Sequence, residues 1–168
     1  MENHVIKAAL LGAGTVGSGV YALAGMLADE ICKKTGGSLE IKRVMVRDLK
    51  KKRDGIPPEI LTDNWEEILN DDEIWLVIEV MGGVEPAKTY ITQAVLSGKQ
   101  VVSANKDLLA EHGQELLSLA EERGVDLQFE AAVAGAIPII RPLKQSLSAS
   151  LLTEIMGIVN GTTNYILT

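Results

Sequence analysis

Three glycines stand at the spacing G-x-G-x-x-G in "LLGAGTVG", residues 10–17, directly after the apolar run "VIKAA". Gly12 permits a tight turn after a strand. Gly14 has no side chain, so a pyrophosphate can approach the backbone. Gly17 lets a helix pack close to the strand. A helix starting here offers unpaired N–H groups and the positive end of its dipole to an anion. The motif closes the first strand and opens a long amphipathic pattern, which is the context a dinucleotide cradle requires. A purely structural strand-to-helix turn is the alternative.

The other residues with chemical reach also fall at expected strand ends. Arg47 follows the second strand, where a guanidinium can hold a 2′-phosphate through a charge-assisted pair. Asp48 beside it leaves NAD use open, since an acidic residue there binds ribose hydroxyls. One of Lys50, Lys51, Lys52 or Arg53 could assist, although a solvated basic loop accounts for most of them. Gly82 and Gly83 would let a flat nicotinamide or its ribose lie near the backbone; a simple turn before a helix is the other reading. Lys106 opens a helix, where the dipole repels a cation. That local conflict favours a functional role over a surface lysine.

These residues need a scaffold that brings strand ends to one rim. "VIKAALLG" (5–12), "LEIKRVMV" (39–46), "IWLVIEVM" (74–81), "KQVVSA" (99–104) and "VDLQFEA" (125–131) read as strands. Several are apolar on both faces, as a parallel sheet covered by helices demands. A helix is expected from Val16, with Val20, Leu23, Ala24, Leu27 and Ile31 on one face, ending at Gly36 and Gly37. Further helices are expected over 86–98, with Pro86 in the first turn, and over 107–124. The alternation predicts a doubly wound, mostly parallel Rossmann-type α/β sheet with right-handed crossovers.

Residues 47–64 form the longest irregular stretch. After Ile137 the pattern changes: a helix over 137–147 interrupted near Pro142, a strand over 151–161, and the start of a helix at 162–168. The expected division is a dinucleotide-binding domain at 1–135, then at 136–168 a connecting helix and the first elements of a second, α+β domain. The abrupt end reads as that of a fragment.

Composition narrows the partners. The 168 residues carry a net charge of -7, which argues against nucleic acid. Only 4% are aromatic, so the core must be aliphatic. A single cysteine, Cys32, allows no internal disulfide and fits a reducing cytoplasm; an inert thiol is expected. No signal peptide and no bilayer-spanning run is evident. His4 and His112 read as surface residues. Asp71-Asp72-Glu73 reads as a solvated turn on the edge opposite the crevice, and the acidic face of the 107–123 helix as ordinary solvent exposure.

The segments "GAGTVGSGV", "VIEVMGG", "VVSANKDLLA", "FEAAVAGAIPII" and "GIVNGTTNYIL" together resemble those of homoserine dehydrogenase, in its order, from Val5 to Leu167. The last three are far more specific than the glycine loop. The resemblance implies reduction of L-aspartate 4-semialdehyde to L-homoserine, on the route to threonine and methionine. NADP(H) is the favoured cofactor and NAD(H) a possible one. It implies that Gly12, Gly14, Thr15, Val16 and Gly17 hold the pyrophosphate and that Arg47 faces the 2′-phosphate. Ala13, Ser103 and Asn105, in the same loops, are counted with the cofactor residues. Lys106 would lie beside nicotinamide and substrate, with Gly161 and Thr162 bordering the substrate. A monovalent cation, sodium in the family, would be held mainly by main-chain oxygens at Glu130, Val133, Gly135 and Ile137. The residues alone do not indicate a metal; a tight loop capped by Glu130 also accounts for them. The family's acid–base lysine and its aspartate partners lie beyond Thr168. The fragment is therefore expected to bind cofactor with scarcely any turnover, and the parent protein to be a homodimer. Two rivals remain: a non-catalytic sensor of the NADPH/NADH ratio, and another amino-acid or semialdehyde dehydrogenase. A sensor would need neither Lys106 nor "NGTTN".

Overall fold

The computed structural model describes residues 4–135, 137–158 and 165–166. Six parallel strands form one sheet: β1 (His4–Leu11), β2 (Gly37–Met45), β3 (Leu61–Thr62), β4 (Ile74–Glu79), β5 (Gln100–Ser103) and β6 (Leu127–Gln128). Their order is β3-β2-β1-β4-β5-β6. The chain therefore starts in the middle of the sheet, winds outward one way, and returns to wind the other. The β1–β4 junction is a topological switch point, where a crevice opens at the carboxyl rim.

β1 shows why the sheet is central. Ala8, Ala9, Leu10 and Leu11 are all fully buried. Ala8 and Leu10 pack on one face with Ile41, Val44 and Val46, against Val20, Tyr21 and Ala24. Ala9 and Leu11 pack on the other with Met45, Val77 and Val101, against Ile91, Val95, Leu108 and Leu116. The period of two thus feeds two aliphatic cores. Burying each large aliphatic side chain contributes about 1.5–3 kcal/mol.

The helices are α1 (Thr15–Met26), α2 (Ala28–Thr35), α3 (Glu66–Leu69), α4 (Ala87–Leu96) and α5 (Lys106–Arg123). Gly36 and Gly124 end α2 and α5 in the left-handed conformation, as their sequence positions predict. Pro86 is the N-cap of α4 and follows a cis peptide bond. No helix of the described residues is long and apolar enough to cross a membrane.

Several expectations are corrected. The single helix from Val16 is two, because Leu27 leaves helical geometry at φ -103° and ψ 17°. The irregular stretch 47–64 contains β3, which needs only two residues to pair with Val44 and Met45. The fifth expected strand shortens to Leu127–Gln128, and Glu130–Ala132 turns into a 3-10 helix. The helix near Pro142 is present but widened, with Pro142–Ser146 in a π-turn. Of the strand expected at 151–161, residues 151–158 form none: no neighbour among the described residues offers a ladder to satisfy their backbone groups, and they lie exposed, while 159–161 fall outside the described residues.

The acidic turn at 71–73 does lie at the amino edge of the sheet, but it is not merely solvated. Lys42 pairs with both Asp71 and Glu73, and Lys7 pairs with Glu73. Lys99, 5% exposed, donates to the carbonyls of Asp71 (2.8 Å) and Ile74 (2.9 Å). Burial lowers the Lys99 pKa, opposed by Asp71 and Asp72.

Candidate cofactor-binding site

β1 runs into Gly12, whose N–H donates to the Met45 carbonyl at 3.0 Å. Its φ of 103° is readily adopted only by glycine, and a Cβ there would meet the Val80 carbonyl oxygen at 3.1 Å. A Cβ on Gly17 would overlap the Gly12 carbonyl oxygen. Packing therefore requires both outer glycines. Gly14 differs: its φ is an ordinary -83°, and nothing lies within 4 Å of a Cβ placed on it. Gly14 caps α1 without a side chain, and the first helical bond runs from the Ser18 N–H to the Gly14 carbonyl at 2.9 Å. No side chain caps the first-turn amides at Thr15, Val16 and Gly17. They are the donors an anion would use.

Gly12, Ala13 and Gly14 line a cleft of about 720 Å³ at the carboxyl rim. Arg47, Asp48, Lys51, Arg53 and Asp63 line one side of it, and Val80, Met81, Pro86 and Tyr90 the other. The basic loop is ordered by its own contacts. The Asp48 carboxylate accepts the Lys50 N–H at 2.8 Å, and the Arg53 guanidinium donates to the carbonyls of Asp48 (2.9 Å) and Lys51 (2.7 Å). The buried Nε of Arg53 has no hydrogen-bond partner. Lys50 and Lys52 do not line the cleft; Lys52 forms an exposed pair with Asp54 at 3.5 Å.

β4 and β5 end beside the cleft in a buried polar cluster. The Glu79 side chain is fully buried and accepts from the Met81 N–H (2.8 Å), the Ser103 hydroxyl (2.7 Å) and the Asn105 amide (3.4 Å). Asn105 also donates to the Gly83 carbonyl at 2.6 Å, and its side-chain oxygen caps α5 by accepting the Leu108 N–H at 3.2 Å. Ser103 and Asn105, both expected near the cofactor, are thus buried with their side chains engaged inside the protein. Gly82 and Gly83 follow with φ of 74° and 76°. Lys106 begins α5 with its side chain 78% exposed and its ammonium 3.2 Å from Asp107. That neighbour relieves part of the conflict with the helix dipole. Lys106 lines a second groove, between α5 and residues 129–134, and not the cleft itself.

The loop after β6 turns on Ala134 (φ 57°) and Gly135 (φ 36°). The Glu130 carboxylate accepts the N–H groups of Ile139 (2.6 Å), Ile140 (3.0 Å) and Arg141 (2.8 Å). Burial raises the Glu130 pKa, but these three amides and the Arg141 charge outweigh it and leave it below the usual carboxylate value. With the side chain so occupied, Glu130, Val133, Gly135 and Ile137 have only main-chain oxygens to offer a cation. Neutral carbonyls suit a hard monovalent ion. Among the described residues no group of three or more His, Cys, Asp or Glu could hold a metal. Gly161 and Thr162 lie outside the described residues.

A family model for the NAD-binding domain of homoserine dehydrogenase matches residues 12–130, and a second, for homoserine dehydrogenase, matches 138–168. The chain belongs to the homoserine dehydrogenase family. The Bacillus subtilis homoserine dehydrogenase is 50% identical over 97% of the chain, and the Corynebacterium glutamicum one 46% identical over 95%. A crystal structure of a homoserine dehydrogenase from Thiobacillus denitrificans superposes with a TM-score of 0.87 at 42% identity, covering 98% of this chain. The chain spans only 38%, 36% and 38% of those three proteins.

Within this homoserine dehydrogenase segment, sequence reasoning missed one residue and left another unresolved among its neighbours. Glu79 sits inside "VIEVMGG", where a lone carboxylate in an apolar strand was the available signal, because a buried acid demands partners. Arg53 is one of the four basic residues of which the sequence lets one assist Arg47. Only the folded loop distinguishes it from Lys50 and Lys52, since charge runs carry no facing information.

Proposed function

We propose that this chain is the cofactor-binding part of a homoserine dehydrogenase, an oxidoreductase that interconverts L-aspartate 4-semialdehyde and L-homoserine. One observation carries the reading: α1 starts uncapped at the cleft, with open space above Gly14. A bound nicotinamide nucleotide supplies the hydride. The first-turn amides of α1 bind the pyrophosphate, and Gly82 and Gly83 leave room for the nicotinamide half. Lys106, on its exposed stem, neutralises the negative charge that develops on the substrate carbonyl oxygen. Gly161 and Thr162 border the substrate.

NADP(H) is the favoured nucleotide, because Arg47, Lys51 and Arg53 give the cleft a cationic flank where a 2′-phosphate would lie. Main-chain oxygens at Glu130, Val133, Gly135 and Ile137 are assigned to a sodium ion. We read the junction between the two parts at residues 135–136; the gap between the two family-model matches, which end at 130 and begin at 138, supports this. The parent protein is read as a cytoplasmic homodimer.

Titration of the chain with NADPH and NADH, followed by nicotinamide fluorescence, tests this. Saturable binding of NADPH, tighter than NADH, is expected. Folded protein that binds neither nucleotide would remove the assignment. Replacing Arg47 with Ser should weaken NADPH about tenfold, the cost of one charged hydrogen bond, and leave NADH unchanged.

A further inference from the structure

Glu79 is the one fully buried acidic side chain among the described residues. Its partners are all uncharged donors: the Met81 N–H, the Ser103 hydroxyl and the Asn105 amide. A charge taken out of water without a cation is costly unless neutral donors replace its hydration. Three donors converge here, from both strand ends that flank one half of the crevice. Asn105 is held at three points: Glu79 and the Gly83 carbonyl fix its NH2 group, and the Leu108 N–H fixes its oxygen. Glu79 thereby sets which way the Asn105 amide faces. Asn105 in turn ties the Gly82-Gly83 turn to the first turn of α5, where Lys106 stands.

We infer that Glu79 is a positioning residue for the nicotinamide half of the cofactor, acting through Ser103 and Asn105 on the Gly82-Gly83 turn. The inference rests on the dinucleotide reading of the cleft. Its asymmetry follows from topology. The adenosine half lies toward β2 and Arg47, and the other half lies over β4 and β5. A defect at Glu79 should therefore be felt at one end of the ligand only.

Glu79→Gln keeps the shape but turns one acceptor into a donor, facing the Met81 N–H or the Ser103 hydroxyl. The test compares NADPH with 2′,5′-ADP, which carries only the adenosine end, on the chain and on the variant. The expected result is about tenfold weaker NADPH binding with 2′,5′-ADP affinity unchanged within twofold. If both ligands weaken together, or neither does, the positioning role is wrong. Should the variant fail to fold, Ser103→Ala removes the hydroxyl that donates to Glu79 and accepts the Asn105 N–H, and is judged by the same ratio. Failure of the unsubstituted chain to bind either ligand would instead sink the dinucleotide reading, and this inference with it.

Discussion

Gly14 and Gly17 stand three residues apart, and alanine would affect them in different ways. At Gly17 the new methyl would overlap the Gly12 carbonyl oxygen, so α1 must move off β1. Small-to-large changes at such closed contacts cost about 1–3 kcal/mol. At Gly14 the methyl enters open space in the cleft, and the backbone needs no adjustment. Its only structural cost is a poorer N-cap, about 1 kcal/mol or less. Thermal melting should show Gly17→Ala strongly destabilised and Gly14→Ala close to the parent. Nucleotide titration should show both weakened, Gly14→Ala by obstruction alone. Unaltered NADPH affinity in Gly14→Ala would mean that the pyrophosphate lies elsewhere. The spacing of these glycines was legible in the sequence because each answers a local backbone demand. The side-chain partners of Glu79, Ser103 and Asn105, were not, because they come from 24 and 26 residues further along the chain.

At the amino edge, three strands that the chain visits at different times are joined by charge. β1 supplies Lys7, β2 supplies Lys42, and the turn before β4 supplies Asp71 and Glu73. Hydrogen bonds from Lys42 and Lys7 lower the Glu73 pKa from 4.5 to about 2. Burial raises the Asp71 pKa, but the hydrogen bonds from Lys42 and the Glu73 N–H leave it lowered. The Lys42 pKa is raised by the same acids. The depressed Glu73 pKa means stability that is complete above pH 4.5 and lost as pH falls toward about 2. The raised Lys42 pKa means stability that is complete below 10.5 and lost as pH rises through its folded value. Melting midpoints measured across the acid window should fall more steeply for the parent than for Glu73→Gln. Parallel curves would show that Glu73 contributes nothing to the acid dependence. The strands themselves were legible from their apolar runs, and their parallel pairing from the intervening helices. The cluster was not, since "DDE" reads as solvated until Lys7 and Lys42 are brought beside it. Over 151–158 the expected strand failed for a related reason: apolar composition marks a segment that wants burial, without providing the neighbour that would make it a strand.

Across the molecule, burial among the described residues ends early. Among these residues, as described, every buried core residue falls between Ala8 and Leu127, and all six strands between His4 and Gln128. Beyond them, Leu147, Leu151, Leu152, Ile155, Met156, Ile158, Tyr165 and Ile166 are all exposed. So dense a run of exposed apolar side chains is uncharacteristic of a monomer surface and favours association. The cleft, by contrast, is lined from Gly12 to Tyr90 and draws nothing from the later described residues. The two properties should therefore separate on truncation. A chain ending at residue 135 keeps both cores, the glycine loop, the basic flank and the Glu79 cluster. Of the described contacts, it loses those of Glu130 to residues 139–141 and the Lys144 ammonium over the Phe129 ring. It should melt within a few degrees of the parent and bind NADPH with comparable affinity. Light scattering should show concentration-dependent association for residues 1–168 and none for 1–135. Loss of nucleotide binding in the shorter chain would mean that the later residues complete the cleft, and that the domain boundary at 135–136 is wrong.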